Sequence, residues 1–311
     1  MKIHCQIPDE QIPHPIVSMG TFDGVHKGHQ QLIQQMVRDA REKNGCAVLI
    51  TFDPHPKQVL YPDAEPLKMI QTLEEKIDFL KTTGLDHLVI LPFTQETSRW
   101  SAEDFVRNVF VKSLNADKIY LGYDHRFGKN RAGDYALMQE LSSIYHFELN
   151  QVPAFFHQDT PISSTKIRAA LTAGDIELAN EMLGHPYCLS GEVQHGKKLG
   201  RTIGVPTANI QLKDPNKILP KNGVYFGIAQ VEGDPKKYRT AINIGVRPTV
   251  DRGDTVHIEA HLISFDQDIY NKRLTLEFIN RIRDEKKFDQ LEQLVQQITS
   301  DIEWVKNFSL L

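Results

Sequence analysis

Ile16-Val17-Ser18-Met19-Gly20-Thr21-Phe22-Asp23-Gly24-Val25-His26-Lys27-Gly28-His29 is followed by Leu32, Ile33, Met36, Val37 and Ala40. The apolar run at 16–19 predicts a short buried strand, Gly20 and Gly24 permit a tight turn, and the later apolar residues recur at helical spacing. Strand, glycine-bearing loop and helix therefore follow one another. At such a junction the N–H groups of the first helical turn lack partners and carry the positive end of the helix dipole, a setting suited to a phosphate. His26 and His29, three apart at the helix mouth, can both face that phosphate and donate to charge building on it. A lone His-X-Gly-His reads more readily as two surface histidines; the longer pattern from Gly20 to His29, with Phe22 and Asp23 inside it, favours a site.

Downstream, 47–52 predicts a second strand ending at Asp53-Pro54-His55-Pro56. Asp53 and His55 would then lie just past a strand's carboxyl end, where open α/β sheets line their crevice, although a rigid turn explains them equally well. A helix over 73–83, a strand over 87–91, a helix opened by Ser101 with Asp104, and a strand over 118–121 come next. A helix near 135–144 and a strand near 147–152 complete five strands alternating with helices. This predicts a doubly wound, Rossmann-like parallel sheet with ligands at its carboxyl edge. Ser163-Ser164-Thr165-Lys166-Ile167-Arg168 opens a further helix, whose hydroxyls, N–H groups and cations would bind a second region of a polyphosphate. Capping alone also accounts for Ser163 or Ser164. A last helix spans 175–183, and Gly184-His185-Pro186 is the expected boundary between domains 1–184 and 185–311.

Beyond it, strands follow strands: 187–193, 208–212, 223–231, 238–244, 257–265 and 273–282. Six at this density predict a small antiparallel β-barrel, with a C-terminal helix over 288–308 whose Leu291, Leu294, Val295, Ile298, Ile302 and Val305 share one face. Between the first two barrel strands lies a second glycine-rich stretch containing Gly191, Gly196, Lys198, Gly200, Arg201 and the close Pro206-Thr207-Ala208-Asn209. It describes a phosphate-binding loop ending on hard oxygens. Thr207 and Asn209, two apart on an extended segment, point to one side and would suit Mg²⁺, which takes few protein oxygens beside nucleotide phosphates. A plain glycine-rich hairpin is the alternative. Glu259 alternates with Ile258, Ala260 and Leu262, so it faces away from the apolar side, as a solvated carboxylate or a general base for a hydroxyl. Arg283, before a run of charges, is either a contact to that hydroxyl's owner or a surface charge.

The 311 residues suffice for two domains with sizeable cores, and a net charge of −4 argues against a broad nucleic-acid-binding face while leaving small anionic ligands in play. Cys5, Cys46 and Cys188 are far apart with no Cys-X-X-Cys pair, which fits a reducing compartment and makes a zinc site unexpected. The N-terminus lacks a signal-peptide core and no apolar run reaches membrane length, so a cytoplasmic location is expected.

In order along the chain stand Gly20–His29, Thr51-Phe52-Asp53-Pro54-His55-Pro56, Leu121-Gly122-Tyr123-Asp124-His125-Arg126-Phe127-Gly128, the Ile162–Arg168 segment, the Gly200–Asn209 segment, Asn222-Gly223-Val224-Tyr225-Phe226-Gly227, and the 243–249 and 285–294 segments. As an ordered set they make the chain resemble the bacterial bifunctional riboflavin kinase/FAD synthetases over nearly its whole length. The resemblance implies that the first module transfers AMP from ATP to FMN, giving FAD, and that the second phosphorylates riboflavin. It implies that His26 and His29 stabilise the α-phosphate and leaving pyrophosphate, and that Ser164, Thr165 and Arg168 bind the triphosphate. Asp124, Arg126 and Phe127 would help form the nucleotide and flavin pocket. Thr207 and Asn209 match magnesium ligands, and Glu259 matches the catalytic base. Two positions depart from the pattern: Val205, where a bulkier side chain is expected, and His125, where an aromatic is frequent. The expected partners are small molecules, with neither nucleic acid nor membrane. A monofunctional nucleotidyltransferase and a non-catalytic flavin sensor are the rival readings.

Overall fold

A computed structural model describes residues 1–196, 204–249 and 253–309. Two compact units divide the chain: residues 1–67 with 76–163, and residues 68–75 with 164–311.

The first unit is built on a six-stranded sheet in which every pairing is parallel: β1 (Lys2–His4), β2 (Pro15–Met19), β3 (Cys46–Asp53), β4 (His87–Pro92), β5 (Lys118–Gly122) and β6 (Glu148–Val152). Their order is β1-β4-β3-β2-β5-β6. β2 is buried throughout and β3 over most of its length, as expected of strands covered on both faces. The polar Ser18 inside β2 is tolerated because its Oγ donates to Tyr120 O at 2.9 Å. From β2 the chain runs through α1 (Lys27–Glu42) to β3, and α1 buries Leu32, Ile33, Met36 and Ala40. The other direction of the sheet is reached from β4 by α4 (Ala102–Phe105), which continues as wide π-helical turns over Val106–Ser113, burying Val106, Val109 and Phe110. α5 (Tyr135–Tyr145), capped by Asp134, then leads to β6. Right-handed crossovers leaving in opposite directions cover opposite faces, so the sheet is doubly wound as the sequence predicts. Five strands were expected and six are found. β1 is a three-residue, largely exposed edge strand with no apolar run to announce it.

Two short helices stand elsewhere: α2 (Pro56–Leu60) and α3 (Leu73–Leu80). After β6 comes a small hairpin of β7 (Phe156–His157) and β8 (Thr160–Pro161).

In the second unit α6 (Ser164–Ala173) and α7 (Ile176–Leu183) precede a closed antiparallel barrel. Its strands are β9 (Tyr187–Gln194), β10 (Ala208–Gln211), β11 (Gly223–Val231), β12 (Lys237–Thr249), β13 (Gly253–Leu262) and β14 (Arg273–Arg283), in the order β10-β13-β12-β11-β14-β9. Leu189, Val193, Ile242, Ile244, Ile258, Ala260, Leu274, Leu276 and Phe278 alternate inward to fill it. Asn180 of α7 joins two strands with one amide, donating to Phe278 O at 2.8 Å and accepting from Tyr187 N at 2.7 Å. Gly184, at the expected domain boundary, ends α7 in the left-handed conformation.

α8 (Leu291–Asn307) packs on the barrel. Arg239 of β12 donates to Val305 O at 2.6 Å and Phe308 O at 2.8 Å, satisfying carbonyls at the helix end. Leu294, Val295, Ile298 and Ile302 are half-buried and Val305 is buried as their spacing predicts, but Leu291, in the first turn, is exposed.

Residues 68–75 belong to this unit through a buried ion pair. Lys217 Nζ donates to Glu75 Oε2 at 2.5 Å and to Ile70 O and Cys188 O, each at 2.6 Å, and sits 4.5 Å from the centre of the Tyr187 ring. Glu75 in turn accepts from Thr72 N and Ser190 N, both at 2.9 Å, while Thr72 Oγ1 accepts from Glu75 N. Thr72 and Glu75 thus form a capping box whose carboxylate also serves a barrel strand. Every ammonium proton has an acceptor, which makes the burial tolerable. Lys217→Met should therefore destabilise this unit by about 3–5 kcal/mol, because Glu75 is left charged and buried. Denaturant unfolding read by Trp304 fluorescence, in a Trp100→Phe background, checks this; an unchanged midpoint would refute it.

Candidate functional site

The strand order reverses between β2 and β5, and a parallel sheet opens a crevice outside the carboxyl ends of the strands on either side of such a reversal. The loop leaving β2 carries Gly20 to His29, and the loop leaving β5 carries Asp124 to Phe127. Asp53 and His55 leave β3 at the same edge. Three segments picked from the sequence are thus gathered by topology alone.

The first loop is strained. Phe22 and Val25 take φ of 45° and 36°, conformations that large side chains avoid at a cost of about 1–3 kcal/mol each. Gly24, at 85°, takes the same region without that cost. The turn buries Asp23 and Phe22 and delivers His26 as the N-cap of α1, where its Nδ1 accepts from His29 N at 3.4 Å. An accepting Nδ1 places the neutral ring's proton on Nε2, leaving a donor for a ligand. The rings of His26 and His29 stack at 3.6 Å and 16°, and Phe22 meets His29 edge-on at 5.0 Å. Burial pulls His26 down to about 4, against the helping charge of Asp23. His29 is driven well below the ordinary imidazole value by burial, then by His26 and Lys76, and its buried Nδ1 has no hydrogen-bond partner among the described residues.

His55 caps the five-residue α2, its Nδ1 accepting from Lys57 N at 3.1 Å, and Asp53 is exposed at the strand end. Past β5, Asp124 is exposed and Arg126 pairs with Asp134 at 2.8 Å. The Phe127 ring joins the core beside Phe105, 6.1 Å away. His125 lies beside the Phe127 ring, burial lowers it to about 4, and its Nε2 has no partner among the described residues. Ser163 ends the first unit.

In the second unit, Ser164 begins α6, Thr165 is exposed in its first turn, and Arg168 Nε donates to Lys68 O at 2.8 Å. The barrel brings its predicted residues together through register. Asn209 of β10 lies directly opposite Glu259 of β13, and Glu259 opposite Asn243 of β12. Direct partners share a face, and since Ile258, Ala260 and Leu262 fill the interior, Glu259 faces outward as its alternation predicts. Thr207 Oγ1 donates to Glu259 Oε2 at 3.4 Å, while Pro206 O accepts from His261 Nδ1 at 2.7 Å. At Gly196 a side chain would collide with the Asn209 amide, and at Gly191 with Ile210 and the Gln211 carbonyl. Backbone therefore approaches the Asn209 side chain as closely as only glycine permits. Lys198, Gly200 and Arg201 lie outside the described residues. Arg283 forks onto the buried Asp301 of α8, with Nη2 to Oδ2 at 2.7 Å and Nε at 3.1 Å, which makes it the strand's anchor to that helix. Asn243, one row over from Glu259, escaped sequence reasoning although its segment was singled out, as did Lys76, whose run of charges resembles a solvated helix face.

Residues 9–166 match the FAD synthetase family and residues 183–309 the riboflavin kinase family. A bifunctional riboflavin kinase/FMN adenylyltransferase of Bacillus subtilis (strain 168) is 38% identical over 300 residues, covering 96% of this chain and 93% of that protein. Its counterpart in Escherichia coli (strain K12) is 35% identical over 287 residues, 92% and 90% of the two chains. The chain belongs to the bifunctional riboflavin kinase/FMN adenylyltransferase family. A crystal structure described as a macrolide-efflux protein from Streptococcus pneumoniae has the same fold, with a TM-score of 0.88 and 33% identity over 99% of this chain and 100% of that one. Among the described residues no helix is long and apolar enough to cross a membrane.

The histidines give a pH signature. Unfolded imidazoles titrate near 6.5, whereas His26 and His125 titrate at about 4 in the fold. Between those values the unfolded chain binds more protons, so stability falls as pH drops from about 6.5 to about 4. NMR titration should find His26 and His125 neutral above pH 6; a midpoint at 6 or higher for either would contradict the burial that sets it.

Proposed function

We propose that the crevice beside His26 and His29 carries adenylyl transfer from ATP to FMN, and that the outward face around Glu259 carries phosphorylation of riboflavin. In domain terms, residues 1–184 make FAD and residues 185–311 make FMN. The single observation that supports this reading is that each unit gathers candidate residues of a different chemistry, buried stacked histidines at the mouth of α1 in one and a carboxylate opposite two asparagines in the other.

In the first site the acceptor is the FMN phosphate and the bond broken lies between the α- and β-phosphates of ATP. Two neutral histidines at the mouth of α1 suit this reaction because Nε2–H donors and first-turn N–H groups can stabilise charge that grows on the α-phosphate and departing pyrophosphate. Their neutrality, enforced by burial, leaves them donors without the cost of a buried imidazolium. Asp124 and Arg126, on the loop that leaves β5 at the same edge of the sheet, would bind nucleotide and flavin.

In the second site Glu259 acts as general base on the riboflavin hydroxyl that attacks the γ-phosphate. The Thr207 hydroxyl and the Asn209 side-chain carbonyl are hard oxygens that suit Mg²⁺, and Gly196, where any side chain would strike the Asn209 amide, lets the backbone pass close beside it. Bound there, the ion would neutralise charge on the ATP phosphates. Thr207 and Asn209 hold it, and Asn243 borders Glu259. The product of this site is the acceptor of the other, and a cytoplasmic location fits both substrates.

Variants at the two sites should separate the activities. Glu259→Gln should lower riboflavin phosphorylation by about 10²–10⁴-fold and leave conversion of FMN to FAD intact, while His29→Ala should do the reverse. Chromatographic product analysis with riboflavin or FMN as sole acceptor checks this. Equal loss of both activities in either variant would contradict independent sites.

A further inference from the structure

Beneath the paired histidines lies a cation that the mechanism above leaves unused. Lys76 on α3 is 4% exposed, and its Nζ donates to Thr21 O at 2.7 Å and, at 3.4 Å, to Thr51 Oγ1. Thr51 Oγ1 itself donates to Thr21 O at 3.2 Å, so one carbonyl of the strained loop is held by two donors from outside it. That carbonyl immediately precedes Phe22, the residue forced to positive φ whose ring abuts His29. Releasing it would loosen the turn that aims both histidines.

The charge has a second consequence. Burial draws Lys76 below the ordinary lysine value, while the charges of Asp23 and Asp53 hold it up. It acts in turn on His29, disfavouring the imidazolium. The titratable groups around the pair are His26 at the cap of α1, Asp23 in the loop, Asp53 at the end of β3 and Lys76 itself. With both histidines neutral, the full positive charge among these groups resides on Lys76. A buried ammonium with two hydrogen-bond acceptors among the described residues is expensive to maintain. Its cost is offset where an anion has to be bound.

We propose that Lys76 is a positioning residue of the adenylyl-transfer site, a buried cation that pins the Thr21 carbonyl and sets the positive potential which the ATP phosphates meet at the mouth of α1. This rests on the assignment of adenylyl transfer to the His26–His29 loop. A lysine that merely filled the core would affect stability alone; a positioning cation also governs how His29 responds to pH and how well polyphosphate binds.

The test uses the full chain, in which riboflavin phosphorylation reports on folding. Lys76→Met should lower kcat/KM for FMN adenylylation on the order of 10²-fold, with riboflavin phosphorylation unchanged. The acid limb of its pH profile should move to higher pH, because His29 no longer has a cation beside it. Inorganic pyrophosphate, titrated by calorimetry, should bind more weakly. Lys76→Arg, which keeps the charge, should restore the acid limb and pyrophosphate binding. Wild-type adenylylation in Lys76→Met would overturn the proposal, as would an unmoved acid limb in that variant. If Lys76→Met loses both activities, Lys76→Arg decides: a wild-type acid limb supports the role and a shifted one overturns it. A wild-type chain that phosphorylates riboflavin but never adenylates FMN would instead remove the assignment beneath it.

Discussion

A parallel sheet whose strand order turns back on itself cannot cover the carboxyl ends of its two central strands with the same crossovers that cover its faces. The right-handed connection from β2 leaves one way along the sheet, to β3, and the connection from β5 leaves the other way, to β6, so the edge between them stays open. Everything distinctive about the first unit follows from that gap. The loop filling it must leave a buried strand, turn within a few residues and enter α1 with its N–H groups facing outward. Phe22 and Val25 carry the resulting strain in their backbones, and the histidines are pressed together under enough apolar cover to stay neutral.

The barrel reaches a comparable result by register. Because neighbouring antiparallel strands place direct partners on one face, fixing Ile258 and Ala260 inside fixes Glu259 outside, opposite Asn209 and Asn243. A slip of one residue would turn Glu259 inward and bury an unpaired carboxylate. Arg239 and Arg283 then tie α8 to the wall through its end carbonyls and Asp301. Core alternation thus positions the hard oxygens without any dedicated scaffold.

Much of this is visible in the chain itself, since hydrophobic period and glycine placement are local properties. The strand at 16–19, the helix after it and the six barrel strands read correctly for that reason, the barrel strands lying within about five residues of their observed ends. What local pattern cannot show is who faces whom. Arg283 sits in a run of charges, yet its partner Asp301 is eighteen positions on and buried. Lys76 and Glu75, adjacent in an acidic-looking helix, are both buried because distant residues pair with them, Thr21 accepting from Lys76 and Lys217 donating to Glu75. His55 and Phe127, singled out for their residue type, also serve the fold, one as a helix cap and the other in the core. β1 is too short and too exposed to have any period.

Two nucleotide sites that use different bonds of ATP make one decisive distinction. The full chain, incubated with riboflavin, Mg²⁺ and ATP labelled at either the γ- or the α-phosphorus, should give FMN carrying only the γ label. FAD should carry the γ label in its flavin phosphate and the α label in its adenylyl phosphate. FAD lacking the α label, or FMN carrying it, would contradict the division of chemistry between the histidine crevice and the Glu259 face.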